Sequence, residues 1–308
     1  MISFIIIGKN EGWRLQKCLQ SISYVVEQDA IANYEIIYVD SQSTDNSIEL
    51  AKQYGAKAFL ITGECNAAIA RNIGAKEAVG DILFFIDGDM ELFPDFLPQV
   101  LTKDGQLEYP FISGIFNDIV YDLDWNYLDT SRRHKLQEGD ADSVETTTGG
   151  LFLITHSLWD KVGGMDTRFK RSQDYDLGLR LNKINYPLHR KATLLANHYM
   201  RQYNIQQFYI SGVKYSSLLL RKHWNDKHYL KLFIRQQYTT IILVLSTVLS
   251  FISVWFIGLY ILTCMYKNIK QRNWTRMWNP VARDIVLLWA LLCFWPSKNA
   301  LKYKQITQ

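Results

Sequence analysis

The chain has few cysteines. The four in its 308 residues, Cys18, Cys65, Cys264 and Cys293, form no C-x-x-C pair and no other metal-type spacing, so a reducing compartment is the simple reading. There is no G-x-x-x-x-G-K-S/T loop and no G-x-G-x-x-G after the first apolar run, which removes kinase, ATPase and dehydrogenase readings. No basic cluster with interleaved aromatics occurs in the body of the chain, so nucleic acid is not an expected partner despite a net charge of +4. Met1 to Ile7 enter an apolar stretch with no basic leader or small-residue cleavage site, so a secretory signal is not expected and the body is expected to be cytoplasmic.

What is present divides unevenly. Residues 1–213 carry 20 Lys/Arg against 28 Asp/Glu, while residues 214–308 carry 14 against 2, and a basic tail beside apolar runs points to anionic lipid. With 48% hydrophobic residues the chain can bury one large core or two modest ones. From Tyr238 to Tyr266 no residue is charged, longer than the roughly 20 residues a helix needs to cross a bilayer core. The run Ile285 to Trp295, bounded by Arg283, Asp284 and Pro296, is short for a crossing; it crosses, re-enters or lies at the interface, where Trp274, Trp278, Trp289 and Trp295 would sit well. Arg221, Lys222, Lys227, Lys231 and Arg235 precede the long run and Lys267, Lys270, Arg272 and Arg276 follow it. Orientation is therefore open, and a hairpin within one leaflet is an alternative to a span.

Through the first hundred residues, apolar runs of strand length alternate with helix-period segments, the pattern of βαβ units and a parallel sheet. Strands are predicted at Ile2 to Ile7, Glu35 to Val39, Lys57 to Ile61 and Ile82 to Ile86. Helices are predicted around Leu15, Cys18, Leu19 and Ile22, from Asp45 to a stop at Gly55, and from Asn66 to Val79. Right-handed crossovers put the carboxyl ends of these strands on one edge, where open α/β sheets bind ligands. That edge carries Gly8 to Glu11, Asp40 and Asp87 to Asp89. The stretch from Phe111 to Ala196 mixes short elements around the turn signals Gly149-Gly150 and Gly163-Gly164.

Asp87-Gly88-Asp89 projects two carboxylates from a strand end, with a glycine permitting close approach of a ligand. Hard oxygen donors of this kind suit Mg²⁺ or Mn²⁺ carrying a diphosphate; in isolation the same tripeptide equally suits a plain turn.

Read in order, Phe4-Ile5-Ile6-Ile7-Gly8-Lys9-Asn10-Glu11, Val39-Asp40-Ser41-Gln42-Ser43-Thr44-Asp45, Ala70-Arg71-Asn72-Ile73-Gly74 and Phe85-Ile86-Asp87-Gly88-Asp89 resemble the family 2 glycosyltransferases. The likeness continues through Thr148-Gly149-Gly150-Leu151-Phe152-Leu153, Val162-Gly163-Gly164-Met165-Asp166 and Gln173-Asp174-Tyr175-Asp176-Leu177-Gly178-Leu179-Arg180, about residues 2 to 200 in all. It implies an α/β fold of the GT-A type, a Rossmann-like mixed sheet, here with C-terminal membrane-associated helices. It further implies a nucleotide-diphosphate sugar donor, first a UDP-sugar, a divalent cation, Mn or Mg, and inversion at the anomeric carbon.

By the same resemblance Asn10, Glu11 and Asp40 line the base and ribose pocket, Gly8 and Ser43 belong to the nucleotide-sugar site beside them, Arg71 lies near the diphosphate, and Asp87 reaches the ribose or the metal. Asp89 is the first metal ligand, with His198 completing the site. Asp174 is the catalytic base, and Gly149, Gly150 and Gln173 belong to the acceptor region. Gln173 departs from the glutamate the family commonly has there, which bears on acceptor contacts. Plainer readings stand beside these: Asp40 capping a turn with Ser43 and Asp45, Arg71 paired with Glu77, His198 structural, and Asp176 competing with Asp174. The expected organisation is a catalytic domain over 1–213, with a nucleotide-binding half (1–102) and an acceptor half (103–213), followed by a membrane-associated tail over 214–308. The expected acceptor is lipid-linked or glycan and membrane-proximal, at the inner face of a cell membrane. Processive synthesis is not expected, since no Q-x-x-R-W follows Asp174. A membrane-tethered, non-catalytic scaffold and a nucleotidyltransferase are the alternatives.

Overall fold

The computed structural model describes residues 1–202, 205–270 and 279–307, the side chains of 205–211, 268–270 and 279 excepted. Strands and helices alternate as the hydrophobic pattern predicts: β1 (Ile2–Gly8), α1 (Trp13–Gln28), β2 (Tyr34–Asp40), α2 (Ser47–Gln53), β3 (Lys57–Ile61), α3 (Ala67–Glu77) and β4 (Ile82–Asp87). Then come β5 (Met90–Leu92), α4 (Leu97–Val100), β6 (Phe111–Tyr121), β7 (Tyr127–Arg132), β8 (Ser143–Glu145), β9 (Phe152–Thr155), α5 (His156–Val162), α6 (Gln173–Lys183) and β10 (Leu188–Arg201). Five helices follow, α7 (Ile205–His223), α8 (Lys227–Gln236), α9 (Tyr238–Leu249), α10 (Phe256–Lys270) and α11 (Asn279–Cys293), before a last strand, β11 (Tyr303–Ile306).

The sheet is mixed. Its order is β11-β3-β2-β1-β4-β9-β6-β10-β5, with β7 added to β6 and β8 to β10. β1, β2, β3 and β4 run parallel, whereas β9 pairs antiparallel with β4 and β6. Every residue of β1 is buried, because helices cover both faces of a parallel strand. Side chains alternate between two cores: Phe4 and Ile6 pack with Leu15, Cys18, Leu19 and Ile22 of α1, and Ile5 with Ile69 and Ile73 of α3. Each such side chain, once buried, contributes about 1.5–3 kcal/mol. A Cβ at Gly74 would collide with Ile5 Cγ2, so this glycine sets how closely α3 lies on β1.

A buried carboxylate pins the amino-terminal end of the sheet. Glu35 Oε1 accepts from Ser3 Oγ (2.6 Å) and Val79 N–H (2.7 Å), and Oε2 accepts from Lys57 Nζ (2.8 Å). Burial alone would raise its pKa, but these donors outweigh burial and hold it below the usual range. The linked stability is therefore full above the ordinary glutamate pKa and lost as pH falls through the lowered one. Glu35→Gln is expected to cost about 1.5–3 kcal/mol at pH 7, with the gap to wild type closing toward acid. Urea unfolding across pH checks this, and a gap that does not change with pH contradicts it.

The chain forms two compact units, Met1–Gln202 with Lys298–Gln308, and Tyr203–Ser297. This corrects the expected boundary at 213/214 in two ways. The helical unit starts about ten residues earlier. The last residues are not tail: β11 pairs antiparallel with β3, Tyr303 Oη donates to Glu77 (2.5 Å), and Asn299 N–H donates to Thr167 Oγ1 (3.0 Å).

In the second unit, the uncharged run 238–266 is not one helix. It breaks at 250–255 into α9 and α10. Among the described residues no single helix is long and apolar enough to cross a membrane, and α8 and α9, which pass together by composition, meet at 72°. Residues 285–293 of the second apolar run belong to α11, inside which Arg283 and Asp284 are buried rather than flanking, while Phe294 and Trp295 follow its end. Trp274, Trp278, Arg272 and Arg276, and the side chain of Lys270, lie outside the described residues.

Candidate active site

The register of the parallel strands aligns the loops expected at their ends. Gly8 lies opposite Asp40 and Ile7 opposite Asp87. The loops after β1 and β2 are stitched together: Asn10 N–H donates to Ser43 Oγ (2.9 Å), Thr44 N–H to Asn10 Oδ1 (2.7 Å) and Gly12 N–H to Asp45 Oδ2 (3.2 Å). Asn10 takes φ 55°, a left-handed conformation asparagine tolerates. Asp40 is fully buried, and its oxygens accept from Ser43 N–H (2.7 Å) and Tyr38 Oη (3.0 Å). Its geometry is thus the turn-capping arrangement with Ser43, while Asp45, one residue before the cap of α2, accepts from Ser47 N–H (3.1 Å).

Acidic side chains gather around Gly88. Asp89 Oδ2 lies 3.4 Å from His198 Nε2 and 3.5 Å from Arg14 Nη1; Asp89 Oδ1 is buried without a hydrogen-bond partner. Arg14 also pairs with Glu11 (2.5 Å). Burial and the Asp89 charge push Glu11 up to about 7 against the pull of Arg14. Asp89 goes the other way, since His198 and Arg14 outweigh burial and hold it low.

His198 sits opposite Asp118 in the parallel β6–β10 register, and its Nδ1–H donates to Asp118 Oδ1 (2.7 Å). Burial would lower its pKa, but Asp89 and Asp118 raise it to about 9. The histidine is therefore not a lone structural one: it joins the aspartate of the D-G-D turn to a second carboxylate.

Arg71 is buried on α3 and donates Nη2–H to Asp87 Oδ1 (2.5 Å), not to Glu77. Its Nε and Nη1 are buried and unpartnered. Unsatisfied guanidinium donors are costly and suit an incoming anion. Burial pushes Asp87 up, and Arg71 offsets part of that rise.

The third wall is the Gly149-Gly150 turn, with φ 71° and 96°. A Cβ at Gly150 would run into Asp87 Oδ2, so only glycine lets this turn close on the carboxylate. Gly149 N–H donates to Asp174 Oδ2 (3.3 Å), which brings Asp174, in the first turn of α6, to the same place. Asp176 is placed differently: it is fully buried and paired with Arg180 (2.9 Å), which in turn binds the carbonyls of Val162 and Gly164. Gln173 is half-buried, and its Oε1 has no partner.

Sequence reasoning missed four residues. Arg14 had a local signal, its i+3 spacing from Glu11. Asp118, Arg133 and Arg190 had none. Arg133 pairs with Asp118 (2.9 Å). Arg190, fully buried, binds Glu145 Oε2 (2.7 Å) and Thr147 O (2.8 Å) and so holds the segment leading into Gly149.

Among the described residues no three His, Cys, Asp or Glu side chains stand assembled as a metal cluster. Donor chemistry nonetheless suits a hard divalent cation: an orphaned carboxylate oxygen on Asp89 and a second carboxylate two residues away, which His198 Nε2 would join on giving up its proton.

Residues 3–169 match the family Glycosyl transferase family 2, more than half of the chain, ending just before Gln173 and Asp174. The amylovoran biosynthesis glycosyltransferase AmsB of Erwinia amylovora is 30% identical over 217 residues, 65% of this chain and 68% of that protein. A dolichyl N-acetyl-alpha-D-glucosaminyl phosphate 3-beta-D-2,3-diacetamido-2,3-dideoxy-beta-D-glucuronosyltransferase of Methanococcus voltae is 26% identical over 245 residues, 72% and 74% of the two. Among solved structures, GalNAc-T7 with UDP, GalNAc and Mn²⁺ superposes with a TM-score of 0.59 at 17% identity. That match covers 77% of this chain and half of the other; the two share a fold.

Proposed function

The chain belongs to glycosyl transferase family 2 and is a glycosyltransferase by that membership; we propose that it moves one sugar from a nucleoside-diphosphate donor to a membrane-proximal hydroxyl, with inversion at the anomeric carbon. The observation that carries this reading is the meeting of the Arg71–Asp87 pair, the Gly149-Gly150 turn and Asp174. In the proposed step the acceptor oxygen attacks the anomeric carbon while Asp174 takes its proton. The bond from that carbon to the β-phosphate oxygen breaks, and its electron pair leaves with the nucleoside diphosphate. Arg71 meets the diphosphate with its unpartnered donors. Gln173 adds an uncharged acceptor atom beside Asp174 for the incoming hydroxyl.

A divalent cation, manganese or magnesium, held by Asp89 with Asp87 and His198, would compensate charge on the leaving diphosphate. GalNAc-T7, solved with UDP and Mn²⁺, supports the cation and a UDP-sugar as first choices. The names of the Erwinia and Methanococcus relatives support a glycan or lipid-linked acceptor. Four unpaired cysteines support a catalytic unit on the reducing, cytoplasmic face of the membrane.

Incubating the full chain with α-linked UDP-hexoses, Mn²⁺ and a lipid-phosphate sugar tests the proposal. A β-linked product, read from the anomeric proton coupling, is expected. An α-linked product contradicts inversion, and unchanged rates in EDTA contradict the cation.

A further inference from the structure

We propose that α9 and α10 form a monotopic anchor, a hairpin that enters one leaflet of an anionic bilayer and turns back without crossing it. This rests on the membrane-proximal reading above and specifies how the chain meets the lipid.

Length decides against a span. α9 has 12 residues and reaches about 18 Å, and the uncharged part of α10, Phe256 to Tyr266, about 16 Å. The hydrocarbon core is about 30 Å thick, so each arm matches one leaflet. At the turn between the arms, Phe251, Ile252 and Trp255 are 91%, 79% and 86% exposed. A soluble surface does not leave its most apolar turn so bare.

Several hydroxyls of the hairpin find partners within it, whereas Ser246 Oγ in α9 is buried without one. In lipid each backbone and hydroxyl donor must find its partner within the protein. Across the turn, N–H groups of Phe251, Ile252 and Ser253 bond to the carbonyls of Val248, Leu249 and Leu249. Hydroxyls of Thr247, Ser250 and Thr263 fold back onto Leu243 O (2.8 Å), Thr247 O (2.7 Å) and Leu259 O (2.8 Å). In water nothing requires exposed hydroxyls to turn inward.

The hairpin is rigid at its base. Asp284 of α11, fully buried, accepts from Thr239 (3.1 Å) and Thr240 (2.8 Å) of α9 and from Tyr260 (3.1 Å) of α10, and Arg283 (2.8 Å) neutralises it. α8 meets α9 at 72°, so that with α9 inserted along the bilayer normal α8 lies within roughly 20° of the surface plane. It exposes Leu230 and Ile234 alongside the basic stripe Lys227, Lys231 and Arg235. With the only other acid, Asp226, capping α8 through Tyr229 N–H (3.0 Å), the 14 basic residues of 214–308 favour anionic headgroups.

The test uses the full chain with phosphatidylcholine vesicles that contain or lack phosphatidylglycerol. Wild type is expected to co-sediment with the anionic vesicles, and Phe251→Glu/Trp255→Glu to lose roughly 100-fold or more in partitioning. Helical circular dichroism should stay unchanged, since both side chains stand clear of the buried network. For depth, Ser250→Cys and, separately, Tyr266→Cys, each in a background carrying Cys65→Ser and Cys293→Ser, are treated with an impermeant maleimide outside, then inside, the vesicles. Protection of the first from both sides together with labelling of the second from outside supports the hairpin. Labelling of either from inside shows a span, labelling of Ser250→Cys from outside shows no insertion, and either overturns the proposal; so does a stable dimer that stays off vesicles, where a second copy covers the turn. UDP-sugar turnover on the same samples reports the catalytic reading separately: vesicle binding without turnover leaves the anchor standing and removes that reading.

Discussion

Asp174→Asn will bind the nucleoside diphosphate as wild type does and transfer sugar on the order of 10²–10⁴-fold more slowly, the range that a positioned general base supplies. The substitution keeps size and shape, and with them the hydrogen bond from Gly149 N–H. It removes the negative charge and with it the ability to take a proton. The loss should therefore fall on kcat and leave nucleotide affinity alone. Asp176→Asn makes the contrast, because it weakens the hold on the half-buried Arg180, which ties down Val162 and Gly164, and should lower stability. If Asp174→Asn retains full kcat, Asp174 is not the base.

Asp89→Asn will lose cation-dependent nucleotide binding by roughly 100-fold or more, since even groups that only orient a metal ligand commonly contribute 10–100-fold to affinity. Asp89 brings a buried oxygen with no partner and is held in its charged form by His198 and Arg14. The amide keeps the shape and discards the charge. Nucleotide titration with and without Mn²⁺ checks it. Equal binding by wild type and variant at saturating Mn²⁺ contradicts a ligand role.

The two predictions divide the site along a line partly legible in the sequence. β1 to β4 and the loops at their carboxyl ends could be read because each rests on a local signal, an apolar run followed by Gly, Asn or Asp. Asp87, Asp89, Arg71 and Gly150 do converge, and the collision awaiting a Cβ at Gly150 explains why a glycine stands there. Asp118 and Arg133 were not legible: Asp118 meets His198 through the pairing of β6 with β10, 80 residues apart, Arg133 follows β7, which pairs with β6, and no local pattern carries such pairings. Asp40 illustrates the reverse case. Its sequence context suited either a ligand contact or a turn, and only the geometry shows both oxygens engaged by Ser43 and Tyr38.

The C-terminal run was less legible for a different reason. Hydropathy reports which solvent a segment prefers and says little about where its backbone bends. The run 238–266 holds no proline, and its one glycine, Gly258, lies past the bend inside α10. Only Ser250 and Ser253 mark the break. β11 was hidden in the same way, four residues with one apolar and one aromatic side chain, too short to show alternation and held in place by the edge of β3.

The central claim is a donor site at the carboxyl edge of the sheet, and calorimetric titration of the full chain with UDP, GDP, TDP and CDP, with and without Mn²⁺, tests it most directly. Cation-dependent binding of one of these nucleotides is predicted and would identify the donor class. Failure of all four to bind, with or without the cation, would contradict the account.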